Sequence, residues 1–189
     1  YALDAESGQE LWRATFAGAL ASPPAIGGNL IYVPSFDSEL HALDLQTGQE
    51  VWAATAENWV WASPAVSDGR VIFADINGNI YAVEAASGET TWTAKVTGAV
   101  QGAPVVDGDS VYVVSVGETE TQRGVVVALG AADGQEQWRD EAPVPLYSTP
   151  VIANGSLVVA LQSQEALLYV YDLETGNRVW EFAPTQGNS

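Results

Sequence analysis

The sequence predicts an all-β fold, a β-propeller of four-stranded antiparallel blades, with about four whole blades and a half blade in 189 residues. Three observations predict it. Five tryptophans, Trp12, Trp52, Trp92, Trp138 and Trp180, stand 40, 40, 46 and 42 residues apart, and each follows a glycine by four: Gly8, Gly48, Gly88, Gly134 and Gly176. A second landmark keeps the period, because Pro24, Pro64, Pro104 and Pro150 are 40, 40 and 46 apart. The local pattern is that of strands. Runs of 4–7 residues rich in Val, Ile, Tyr and Trp lie between Gly, Asn and Asp turns, and no window carries a capped 3.6-residue stripe.

In chain order, residues 1–16 supply the last two strands of a unit. Whole units follow at 17–56, 57–97, 98–143 and 144–183, with a polar tail at 184–189. Each unit reads as an inner strand from the Pro, a second strand, a third ending at an Ala-x-Asp position, and an outer strand ending at the Trp. The first two strands join at Gly27-Gly28, Asp68-Gly69, Asp107-Gly108 and Asn154-Gly155, and Asn77-Gly78 reads as a type I′ hairpin. The third unit carries six extra residues near Gly117 to Arg123, a polar surface loop. The fourth carries two, near Gln162 to Ala166.

The repeated residues have a packing logic. A blade needs neighbours on both faces. The Trp is a flat wedge whose indole N–H needs one acceptor. Small residues ten before it (Ala2, Ala42, Ala82, Ala128, and Val170) leave room for a ring against an adjacent blade. Asp4, Asp44, Glu84 and Asp172, with Gly130 as the exception, and the Ser, Thr or Asp before each Gly suit a turn. The five Trp and five Gly are therefore expected to dock blades structurally.

The unit Ala-Leu-Asp-Leu-Gln-Thr-Gly-Gln-Glu-Val-Trp (Ala42 to Trp52), preceded by Ser-Pro and a Gly-turned hairpin, resembles the pyrroloquinoline-quinone (PQQ)-type propeller repeat. The resemblance covers nearly the whole chain. It implies a propeller of about seven or eight blades, so this chain is expected to be part of one. Family members include quinoprotein dehydrogenases, a lipoprotein assisting outer-membrane barrel assembly, and other extracytoplasmic repeat proteins. The dehydrogenases hold PQQ against a Trp, commonly below a disulfide of adjacent cysteines, beside calcium and a catalytic Asp. This sequence has no Cys and offers no residue to match that Asp, so no catalytic, cofactor or metal residue is carried over.

Composition narrows the functions. With 24 acids against 6 bases, a formal charge of -18, phosphate-led nucleic-acid binding and attachment to anionic lipid have the wrong sign. No run of about 18 apolar residues marks a transmembrane helix. Zero Cys excludes disulfides and thiolate metal sites; with zero Met and Tyr1 in mid-pattern, the sequence reads as a mature piece or a fragment.

Candidate site residues are few. Trp59 and Trp61 lie outside the docking column, just before an inner strand, and the Trp61 column also holds Gln101 and Tyr147. Together they are a candidate aromatic rim around a central funnel, against the alternative of inter-blade packing. Asp75-Ile-Asn77-Gly78-Asn79 resembles the start of a calcium loop, but position 86 is Ala86 where a closing glutamate belongs, so a turn is favoured. His41, the single histidine, shares a column with Tyr1, Tyr81, Val127 and Tyr169 and reads as a packed aromatic replacement. Alone it cannot form a multi-His metal site. Glu10, Glu50, Glu89, Glu136 and Glu174 read as a solvated rim, and Glu118 and Glu120 as a weak cation attractor.

The expectation is a non-enzymatic, extracytoplasmic scaffold that binds a protein or peptide by its rims and sheet edges, without cofactor. The alternatives are a piece of a PQQ- and calcium-dependent alcohol or sugar dehydrogenase, and a ligand-sensing domain of a membrane-anchored protein. The exposed terminal faces are expected to take further blades or to self-associate.

Overall fold

The computed structural model describes residues 1–117, 123–163 and 165–183. The expected six-residue loop insertion, with Glu118 and Glu120, lies largely outside the described residues, as do residue 164 and the tail at 184–189. Among the described residues there is no α-helix, and so no helix long and apolar enough to cross a membrane.

The chain forms one two-stranded and four four-stranded antiparallel sheets. A half sheet pairs β1 (Ala2–Leu3) with β2 (Glu10–Trp12). The first blade is β3 (Ala25–Gly27), β4 (Leu30–Pro34), β5 (Glu39–Asp44) and β6 (Glu50–Thr55). The second is β7 (Ala65–Ser67), β8 (Arg70–Ala74), β9 (Asn79–Glu84) and β10 (Thr90–Lys95). The third is β11 (Val105–Asp107), β12 (Ser110–Ser115), β13 (Val125–Gly130) and β14 (Glu136–Glu141). The fourth is β15 (Val151–Ala153), β16 (Ser156–Ala160), β17 (Leu168–Asp172) and β18 (Arg178–Phe182). In each blade the strands pair in sequence order. The short strands β3, β7, β11 and β15 also touch from blade to blade, which puts them on the inner side of the arc.

Three sequence expectations need correction. The outer strand does not end at the Trp: β6, β10 and β14 run three residues past it, because the third strand starts three residues before its Ala and pairing continues, as in Glu39 with Thr55. Asn77-Gly78 is not a type I′ turn, which needs two positive φ angles. Only Gly78 has one, at 89°, and its N–H donates to the Asp75 carbonyl in a wider tip. The two-residue tips also fall one residue later than read in the first and third blades, at Gly28-Asn29 and Gly108-Asp109.

The hydrophobic core lies between blades. Leu40, Val60 and Phe73 pack between the first and second. Ile72, Ile80, Val100 and Val113 do so between the second and third, and Leu146, Leu157 and Tyr171 between the third and fourth. One polar seam joins this last pair. The Arg178 side chain donates to Asp140 (2.6 Å) and to the Glu141 carbonyl (2.6 Å), lies over the Tyr169 ring at 4.2 Å, and is joined there by the Tyr171 hydroxyl, 3.0 Å from Asp140.

Asp75 is wholly buried and closes the tip before β9. Its carboxylate accepts from the N–H groups of Asn77 (2.9 Å) and Asn79 (3.0 Å), the Asn79 amide (2.8 Å) and the Tyr81 hydroxyl (3.0 Å). The segment is thus a turn with its acid fully occupied, not an open calcium loop. Burial, with the Asp75 carboxylate behind it, pushes the Tyr81 phenol up to about 12. Tyr171 is raised too, by burial first and then by Asp140. The unfolded chain loses these protons near pH 10, before the folded one does. Their contribution to stability is therefore intact below about pH 10 and lost as pH rises towards 12. Urea midpoints should hold at pH 8–9, fall steeply above about 10, and fall less steeply in Tyr81→Phe. A flat alkaline profile in the unmodified chain would contradict this.

Candidate functional site

Each blade seam is built on one repeated contact. Beside every Trp the third and fourth strands shift register: Ala42 faces Trp52 while Leu43 faces Glu50, leaving Val51 as a bulge. The same shift occurs at Trp12, Trp92, Trp138 and Trp180. A bulge re-aims a side chain. Here it turns the indole toward the next blade, opposite a residue small enough to let it pass. The indole N–H of Trp12 donates to Leu45 O (3.0 Å), Trp52 to Ala85 O (3.1 Å), Trp92 to Ala131 O (2.9 Å) and Trp138 to Leu173 O (2.8 Å). Each acceptor stands three residues before Gly48, Gly88, Gly134 or Gly176, and the ring lies under that glycine. A Cβ there would come within 2.4–2.6 Å of the indole, and φ is 68–73°. The turn below is held by its acid: Asp44 accepts from the N–H (2.8 Å) and hydroxyl (2.9 Å) of Thr47, bonds that keep its carboxyl below the usual range. In the third blade Asp133 takes that role, accepting from Gln135 N–H, where Gly130 leaves space.

The two ends of the arc carry unmatched halves of this contact. Trp180 is 53 % exposed, and nothing lies within 4 Å of a Cβ built on Gly8.

The candidate rim lies on the linkers that enter the inner strands. Trp59 and Trp61 both stack on Phe36, with ring centroids 5.0 Å apart in each case and interplanar angles of 7° and 28°. Phe36 comes from the tip between β4 and β5, so the first blade supplies the middle ring. The backbone fixes the stack: Phe36 N–H donates to Ala19 O (3.0 Å), Ile76 N–H to Trp59 O (3.1 Å), and the Ser22 hydroxyl to Trp61 O. Trp59 and Trp61 remain 45 % and 37 % exposed. Tyr147 is exposed as well, and Gln101 is half-buried, but among the described residues neither has a ring contact or side-chain hydrogen bond to the stack. The structure therefore joins Trp59 and Trp61 through Phe36, a residue the sequence reading passed over. Its position in a hairpin tip one blade earlier gave no signal.

His41 packs its ring against Phe16, with centroids 4.8 Å apart. Sequence reasoning missed the carboxylates at both its nitrogens: Glu50 at Nδ1 (2.8 Å) and Asp37 at Nε2 (3.3 Å). Burial pushes the Asp37 carboxyl up, but the Ser35 hydroxyl, His41 and the Gly18 N–H together hold it below the usual range.

The rim does not fit PQQ, a planar tricarboxylate. It offers ring faces, yet each of the six basic side chains pairs with an acid, an amide or a carbonyl elsewhere: Arg13 with Glu10, Arg70 with Ala131 O, Lys95 with Asn79, Arg123 with Glu141, Arg139 with Glu136 and Arg178 with Asp140.

Comparison with solved structures gives the fold its relatives. BamB from Moraxella catarrhalis matches with a TM-score of 0.79 at 19% identity, over 95% of this chain and 56% of that one. The quinohemoprotein alcohol dehydrogenase ADHIIG from Pseudomonas putida HK5 matches with a TM-score of 0.79 at 17% identity, over 93% and 36%. The computationally designed Ika4 protein matches with a TM-score of 0.74 at 15% identity, over 87% and 98%. The chain thus spans about half the length of the BamB structure it resembles. At these identities the likeness concerns the propeller fold. No curated protein matches the chain. A family model does, the PQQ_2 model of outer membrane protein assembly factor BamB, over residues 1–97 and 76–189. Those two matches run the length of the sequence, and the chain belongs to that family of PQQ-like repeat propellers.

Proposed function

We propose that this chain is part of a non-enzymatic, extracytoplasmic scaffold that binds extended protein segments, on the plan its family name describes. The observation that carries this reading is the preformed Trp59–Phe36–Trp61 stack, held by backbone hydrogen bonds and open to solvent. Rigid aromatic faces supply contact area at little cost in side-chain entropy and are enriched at binding hot spots. An extended segment with alternating apolar side chains would lay them on these rings, while Gln101 and Tyr147 flank the next linkers.

The test uses synthetic peptides that alternate aromatic or aliphatic with polar residues, as barrel strands do, read by fluorescence anisotropy. Replacing both Trp59 and Trp61 with alanine should weaken binding roughly 30-fold or more, while the fold persists with a lowered melting temperature because each ring is partly buried against Phe36. Tyr147→Ala should weaken it less. Unchanged binding in the double variant refutes the rim as the site. The second reading, a piece of a quinoprotein dehydrogenase, rests on the equally high TM-score of the ADHIIG match. It predicts saturable PQQ binding with Ca²⁺ by the full-length protein, at a site outside these blades, which the scaffold reading does not.

A further inference from the structure

We propose that Asp37, Glu39 and His41 form a site for one divalent transition-metal ion, Zn²⁺ by preference, at the tip of the first blade. β5 begins at Glu39, so its pleat puts Glu39 and His41 on one face, and the tip before it, turning at Ser38 with φ 70°, brings Asp37 to them. One donor atom from each lies within 4.8 Å of the others. His41 Nε2 is 3.3 Å from Asp37 and 3.8 Å from Glu39. Four ligands at about 2.0–2.1 Å around Zn²⁺ stand roughly 3.3–3.4 Å from one another. The His–Asp edge already has that spacing, and Glu39, half-exposed, needs a small rotation.

The imidazole is held as a metal ligand would be. Glu50, across the sheet on β6, places a carboxylate oxygen 2.8 Å from Nδ1. This contact orients the ring so that Nε2 faces the two carboxylates. A carboxylate on the far nitrogen is the usual support for a metal-bound histidine. Nε2 faces carboxylate oxygens of Asp37 and Glu39, in a side chain 93 % shielded from water. Asp37 is anchored separately, by the Gly18 N–H at 3.2 Å. Gly18 lies so close that a Cβ would come 2.2 Å from Asp37 N. The donor set of one imidazole and two carboxylates selects the ion. It is too poor in oxygen for Ca²⁺, which takes six to eight ligands, and suits Zn²⁺, with water in the fourth position.

The second blade shows the alternative use of this tip. Asn77, Asn79, Tyr81 and Thr90 stand forty residues after Asp37, Glu39, His41 and Glu50, and the acids there meet donors: Asp75 accepts from Asn77, Asn79 and Tyr81, and Glu57 from the Asn79 amide. Of these two tips, the first brings three carboxylates to one histidine. An ion there would tie the β4–β5 tip, anchored to the linker at Gly18, to β5.

The test is a titration of the chelator-stripped chain with ZnCl₂ in excess Mg²⁺, which occupies the diffuse negative field, and in parallel with Co²⁺. One Zn²⁺ per chain is expected, with visible Co²⁺ bands of tetrahedral intensity and a raised melting temperature. Asp37→Asn, Glu39→Gln and His41→Gln should each lose at least tenfold in affinity, and Glu50→Gln roughly 10- to 100-fold through the imidazole. Glu39→Gln decides the matter should the buried His41 variant fail to fold. Three results overturn the proposal: no saturable Zn²⁺ binding, binding of several ions without tetrahedral bands, or binding unchanged in Asp37→Asn and Glu39→Gln. A histidine NMR titration showing an imidazolium at neutral pH in a chain that binds no Zn²⁺ would assign the cluster to a charge clamp instead.

Discussion

Trp92→Ala is expected to cost about 3–5 kcal/mol, the range for emptying a buried aromatic site. Trp92 is 7 % exposed, packs in the core between the second and third blades, and donates its indole N–H to Ala131 O. The lost hydrogen bond is worth only about 1 kcal/mol; the cavity dominates. Trp180→Ala, at the same position in the repeat, should lie within about 0.5 kcal/mol of zero in the monomer, because its ring has no blade to leave. The glycine beneath tests the same contact from the other side. At Gly134 φ is 69° and a Cβ would stand 2.5 Å from the Trp92 ring. Gly134→Ala should therefore cost about 1–2 kcal/mol for the left-handed backbone and about 1–3 more for the clash. In the Trp92→Ala background only the backbone part should remain, since the ring that clashes is gone. Urea denaturation of the single and double variants reads all of these. Equal losses at Trp92 and Trp180, or strict additivity at Trp92 and Gly134, would mean that the docking contact does not set the stability of the seam.

The fold was legible because it is written five times. A forty-residue spacing shared by Trp, Gly and Pro survives local noise, and strand runs between turns needed only to agree with it. The boundary of the outer strand was not legible, because the ladder after Trp52 depends on where Glu39 starts the strand opposite, and Trp looked like an end. The turn at Asp75 was misread for a related reason. Asn-Gly favours a two-residue hairpin, but the buried carboxylate holds four residues in the tip and overrides that preference. At the rim, Trp59 and Trp61 stood out as tryptophans out of column, whereas Phe36 became part of the stack only through the fold. The His41 cluster had a local signal, acids at 37 and 39 alternating up to the histidine. That signal was submerged in a chain with 24 acids, where an acid at a hairpin tip is ordinary.

The chain at neutral pH should self-associate head to tail, more strongly as salt rises. Val179, Trp180 and Phe182 are exposed together at one end of the arc, and Leu3 and Leu11 at the other. The polar features of the seam are also split between the ends. Trp180 presents an indole without a carbonyl, and Gly8 stands three residues after the Ala5 carbonyl without an indole above it. The four filled seams show how such halves fit. Against this stands the formal charge of -18 on each copy. Repulsion between whole molecules acts over the Debye length, about 30 Å at 0.01 M salt and about 8 Å at 0.15 M, whereas the apolar contact is short-ranged and does not weaken with salt. Low salt should therefore favour monomers and physiological salt assemblies, the reverse of association led by opposite charges. A heterologous contact closes into a ring or grows open-ended. Two variants expose the mechanism by light scattering. Trp180→Glu removes one half of the contact and Gly8→Val the other, so each alone should remain monomeric. Mixed, they retain one compatible pair of ends and should form one-to-one dimers and nothing larger. Assemblies that persist in Trp180→Glu alone would place the contact on another surface, and a monomeric unmodified chain at high salt would show that the exposed end faces are too small to overcome the loss of free motion.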